Sequence, residues 1–96
     1  MSTWVILQMK VSENVYPRLE TFLTDKLPTV RGFDGALSVS LFYNAETRDF
    51  LILEEWVSKD HHQAYIKSIM DNGVMGDLLS FMEGQPTVTY HDRLVM

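Results

Sequence analysis

Arg48-Asp49-Phe50-Leu51-Ile52-Leu53-Glu54-Glu55-Trp56-Val57 reads as a strand that is apolar on both sides. Successive residues of a strand point to opposite faces, so Phe50 and Ile52 look one way while Leu51, Leu53 and Val57 look the other. The preceding stretch, Ala36 to Tyr43, has the same character, with Leu37, Val39 and Leu41 set against Ala36 and Phe42. Asn44-Ala45-Glu46-Thr47 between them has the length of a hairpin loop. On the other side, Ser58 is a good helix N-cap and Asp60 suits the first turn of a helix running through Ala64, Tyr65, Ile69 and Met70.

Working outward, Thr3 to Val11 is rich in branched and aromatic residues. It reads as a first strand with Trp4, Ile6, Gln8 and Lys10 on one face and Val5, Leu7, Met9 and Val11 on the other. Asn14 is the expected cap of a helix of about three turns, with Pro17 in its first turn and Pro28 as its stop. Asp71-Asn72-Gly73 breaks the second helix, and a shorter one resumes through Val74, Leu78, Leu79 and Met82. Gly84 and Pro86 then release Thr87 to His91 as the last strand. The order is β-α-β-β-α-β, a ferredoxin-like α+β plait with an antiparallel sheet and both helices on one face. Two helices cover only one face of such a sheet. The second apolar face needs another cover, and a second copy of the chain is the simplest, giving a homodimer through the sheet face.

Ninety-six residues make a single domain, and a chain this short buries only about 60 to 65% of its unfolded surface. The net charge of -5 arises from 13 acids against 8 scattered bases, so no basic stripe serves a nucleic acid or an anionic membrane. The absence of cysteine excludes disulfides, thiolate metal sites and thiol nucleophiles. No apolar run approaches the ~20 residues of a membrane span. A cytoplasmic location is the expectation.

Arg31-Gly32-Phe33-Asp34-Gly35, the two strands after it, and Leu53-Glu54-Glu55-Trp56-Val57-Ser58-Lys59-Asp60 at the head of a helix resemble the antibiotic biosynthesis monooxygenase family, also called quinol-monooxygenase-like proteins. The resemblance implies a dimeric α+β barrel and a monooxygenase acting on a quinol or polycyclic aromatic without metal or flavin. It also implies that Trp56, at the strand end, lines a pocket between sheet and helices. Where that family has an asparagine four residues earlier, this chain has Ile52. In the haem-degrading branch of the superfamily, which shares the Gly-Phe-Asp-Gly turn, a tryptophan stands at Tyr65 and a haem-ligating histidine at Met75. Haem is therefore not an expected cofactor, and Met70, Met75 and Met82 read as adaptable core filling.

The candidate site follows from shared faces. Glu54 lies two residues from Trp56 and from Ile52 on one strand face, so a carboxylate under the helices is either a general base with a raised pKa or half of a salt bridge with Lys10 or Arg31. His62 and Tyr65, three apart on the following helix, can converge on the same point. Glu54 and His62 are the candidate catalytic residues. Gln8, Phe33, Phe42, Trp56 and Tyr65 are the candidate substrate contacts, with Gln8 as an orienting amide. Each has a plainer reading: Trp56 as core, Gln8 as a strand-end amide, His91 as a surface histidine. His61 and His62, neighbours on a helix, have the wrong spacing to chelate a metal, and no metal site is expected. Three functions stand: a cofactor-independent oxygenase in which the substrate anion reduces O2, a non-catalytic dimeric barrel that binds a small hydrophobic molecule or serves a stress response, and, as a further alternative, a relative of the haem-degrading oxygenases.

Overall fold

The computed structural model describes residues 1–96. In chain order the elements are β1 (Thr3–Val11), α1 (Tyr16–Arg31), β2 (Ala36–Tyr43), β3 (Asp49–Trp56), α2 (Lys59–Asp71), α3 (Val74–Leu79) and β4 (Met82–His91). All pairings are antiparallel and the strand order is β2-β3-β1-β4. This is the α+β plait expected from the pattern, with α3 as the short resumed helix. No helix is long and apolar enough to cross a membrane.

Register decides which residues meet. Val5 sits opposite Glu54, Leu7 opposite Ile52 and Met9 opposite Phe50. Residues directly opposite share a face. These side chains, with Val11 and Trp56, are buried against Leu19 and Val30 of α1 and Leu78 of α3. The other face carries Trp4, Ile6 and Gln8 of β1, Leu51 and Leu53 of β3 and Phe42 of β2; the helices pack on the opposite face, and on this one Asp92 and Arg93 after β4 lie beside Trp4 and Leu53.

Five expectations are corrected. A bulge between Ala36 and Ser38 lets Ala36 and Val39 both fall on the helix face, so Leu37 does not share Val39's side and is 54% exposed. Helix α1 runs through Pro28 to Arg31 and closes over it by a bond from Gly32 N–H to the Pro28 carbonyl. Asn14 lies in the left-handed region at φ 63°, and the cap position falls to Val15, whose side chain makes no capping bond. Strand β4 begins at Met82: Glu83 faces Lys10 and Thr87 faces Gln8, so the segment with Gly84 and Pro86 is a bulge inside the strand. Met82 and Met75 pack with the core, whereas Met70 is 63% exposed and fills nothing.

Candidate functional site

The junction of β3 with α2 builds the site. Trp56 ends the strand, and Val57 N–H donates to the Gly35 carbonyl at 2.8 Å. Gly35 has φ +88°, and a Cβ there would come within 2.5 Å of the His61 ring, so only glycine lets the turn approach α2 this closely. Ser58 then caps α2, its Oγ accepting from His61 N–H at 3.2 Å and meeting His61 Nδ1 at 2.7 Å. A helix started at this residue points His62 inward and leaves His61 at the surface. His62, Tyr65 and Ile69 follow at i, i+3 and i+7, the inward stripe of α2.

Under that stripe lies Glu54, only 4% exposed. Its Oε1 accepts from Trp56 Nε1–H at 2.9 Å and lies 3.5 Å from His62 Nε2. Oε2 takes part in neither contact. No lysine or arginine reaches it, because the Arg31 guanidinium donates to the Val39 carbonyl at 3.1 Å and Lys10 belongs to the opposite face. The expected salt bridge to Lys10 or Arg31 is therefore absent, and the carboxyl's neighbours are an indole and an imidazole. Burial raises the Glu54 pKa above its ordinary value, and the indole hydrogen bond only partly counters it. His62 is fully buried, and burial lowers its pKa to about 4. Its Nδ1 meets Tyr90 Oη at 2.8 Å, while Nε2 has no hydrogen-bond partner. The Tyr65 phenol is pushed up to about 12, first by burial and then by the charge of Glu54, so it stays neutral.

Around this polar core the rings interlock. Trp56 is edge-on to Phe33 at 6.1 Å and to His62 at 5.5 Å, and lies 5.4 Å from Tyr65. Phe33 is edge-on to Tyr65 at 5.2 Å. A cavity of about 50 Å³ opens beside them between the sheet, α1, α2 and α3, with Glu54, Tyr65, Ile52, Leu27, Ile69 and Leu78 among its walls. Lys26 stands at its α1 side. Trp56 and His62 do not line this cavity; both meet Glu54 at Oε1.

The structure thus gathers Glu54, His62, Trp56, Tyr65 and Phe33. It does not bring Gln8 or Phe42 to them. Both face the other side of the sheet, Gln8 and Phe42 each standing opposite Leu51, because the antiparallel register gives Val5, not Gln8, to the Glu54 face. They line a separate groove of about 420 Å³ with Asn44 and Asp49. Tyr90 was not singled out from the sequence. Its parity in the last strand was legible, but its partner Val5 was not, and that pairing is what turns its hydroxyl toward His62. No group of three His, Asp or Glu side chains comes together to hold a metal ion.

No protein-family model and no curated protein sequence matches the chain. Solved structures do. A conserved protein of Methanosarcina mazei Go1 superposes with a TM-score of 0.85 at 12% identity, over 98% of this chain and 94% of its own. Proteins described as candidate antibiotic biosynthesis monooxygenases superpose with a TM-score of 0.83: one of Caulobacter crescentus CB15 at 20% identity, over 98% of this chain and 91% of its own, and one of Bordetella bronchiseptica at 16%, over 98% of each. The chain has the antibiotic biosynthesis monooxygenase fold. In this fold the Glu54 cluster occupies the space between sheet and helices, and Gln8 and Phe42 lie on the sheet face away from the helices.

Proposed function

We propose that the protein is a small oxygenase acting on an electron-rich aromatic such as a quinol or polycyclic phenol, with Glu54 as its base. The observation that carries this reading is the state of Glu54: a buried carboxyl that makes no ion pair with a lysine or arginine, is held by the Trp56 indole and stands in the wall of a mostly apolar cavity. A carboxyl kept in that condition is tuned toward proton abstraction, and water is excluded from the anion it would form. The substrate anion then donates an electron to O2. The chemistry asks of the protein a dry cavity, a base and hydrogen bonds to developing charge, with Tyr65 as a neutral donor. Phe33 and Trp56 set the aromatic surroundings. Gln8 and Phe42 contribute only through the opposite face.

The test is oxygen consumption with a panel of hydroquinones and naphthols in metal-free buffer. Glu54→Gln is expected to slow turnover by about 10² or more while the fold persists, since a positioned base contributes that much. Full activity of this variant would reject the assignment. The cavity of about 50 Å³ is far below the roughly 300 Å³ at which ligand pockets begin, so an aromatic ring, whether turned over or only bound, enters only if the helices part from the sheet. A wild-type protein that binds naphthols but consumes no oxygen would make the binding-module reading the better one.

A second copy of the chain on the open face belongs to the same proposal, with the apolar Ile6, Leu51, Leu53 and Phe42 as its centre.

A further inference from the structure

Resting on the reading of Glu54 as a base, we propose that His62 and Tyr90 form a proton path between Glu54 and solvent, with Tyr90 as its outer member. Glu54 is 4% exposed and His62 not at all, so a proton taken by Glu54 cannot leave directly into water. Of the groups around the carboxyl, the Trp56 indole only donates and makes no way out. The imidazole is the neighbour with a nitrogen on each side of the gap. Its unpartnered Nε2 lies 3.5 Å from Glu54 Oε1, and its Nδ1 lies 2.8 Å from Tyr90 Oη. Tyr90, on the edge strand β4, is half-buried, with the Gln63 side chain at its hydroxyl and Lys59 Nζ 4.7 Å above its ring.

A purely structural imidazole explains this arrangement poorly. A buried nitrogen with no partner costs about 1–3 kcal/mol, which an apolar side chain of similar size would avoid. The cost has a use if Nε2 is the point where a proton arrives. The balance is simple. Protonated Glu54 gives its proton to Nε2, the Nδ1 proton passes to Tyr90 Oη, and the Tyr90 hydroxyl proton goes to water. Glu54 is returned as carboxylate and the imidazole has changed tautomer. An inward transfer restores the tautomer, so the path moves protons alternately out and in, as a group that serves first as base and then as acid requires. The 3.5 Å step needs only a small side-chain shift to come within hydrogen-bond range.

The test needs no substrate. In protein with isotope-labelled histidine, NMR reads the exchange of the His62 ring proton with water, and the amides of Val5 and Leu7 report opening of the whole core. The path requires the ring proton of the wild type to exchange faster than those amides; equal rates would mean that exchange waits for global opening and would overturn the proposal whatever any variant does. Tyr90→Phe keeps the ring and removes the hydroxyl. It is expected to slow ring-proton exchange by about 10² with the strand amides unchanged, the lower range for a positioned proton-transfer group. An unchanged ring rate in that variant would also overturn it. A protein that consumes no oxygen yet shows Tyr90-dependent exchange has lost the oxygenase reading and kept the path.

Discussion

Glu54 and His62 are two titratable groups packed against each other, and burial drives both toward their neutral forms. Their effects on stability run in opposite directions. The unfolded chain holds the His62 proton up to about pH 6.5, whereas the folded protein holds it only below about 4. Between those values unfolding takes up a proton, so stability rises with pH across the window, is complete above it and is lost as pH falls toward 4, a span of about 3 kcal/mol. Glu54, with its folded pKa raised, favours the fold at acid pH and loses that contribution as pH rises through the carboxylate range and beyond. Around the pair, the Tyr90 hydroxyl from β4 meets His62, Tyr65 from α2 and Lys26 from α1 share a cavity wall with Glu54, and Lys59 from α2 lies over the Tyr90 ring. Urea unfolding between acid and neutral pH should therefore show His62→Gln losing most of the acid-side slope. Glu54→Gln should be at least as stable as the wild type at neutral pH, since a carboxyl kept for chemistry costs the fold stability. A marked destabilisation of Glu54→Gln would show the carboxylate to be structural.

At the scale of elements, the β3–α2 junction sets the geometry of everything above it. Ser58 fixes the first residue of α2 through a side-chain bond to His61 N–H, and a helix begun one residue earlier or later would turn His62 by about 100° away from Glu54. Ser58→Ala is expected to cost about 1 kcal/mol in thermal or urea unfolding, with Ser58→Gly costing only a few tenths. The Ala variant should also weaken the His62 to Tyr90 contact, visible as a change in the His62 ring resonances. An unchanged spectrum would show that packing of Tyr65 and Ile69, and not the cap, sets the rotation of α2. This junction was readable in advance because capping is local chemistry: Ser58, Asp60 and the inward spacing of His62 and Tyr65 are all neighbours in sequence.

At the scale of the whole molecule, the sheet face on which no helix packs is the dominant feature. Trp4, Ile6, Leu51, Leu53 and Phe42 lie on it, Phe42 is 51% exposed, and the Trp4 indole N–H is buried without a partner. A two-fold dimer through this face would bury well over about 1,000 Å². Leu53→Asp is expected to split or unfold such a dimer, read by light scattering at micromolar concentration; a wild-type monomer under those conditions would remove the basis for the barrel. By itself the sequence determined the element order, the plait, the inward face of β3 and the cap of α2, because alternation, helical spacing and capping act over a few residues. Only the tertiary structure decided which strand faces which. It gave Val5 to Glu54, turned Gln8 and Phe42 to the far side, shifted Leu37 by a bulge, and brought Tyr90 to His62 across 28 residues of chain. Strand register and bulges are fixed by the simultaneous packing of distant segments, and that information is carried by no single stretch of the chain.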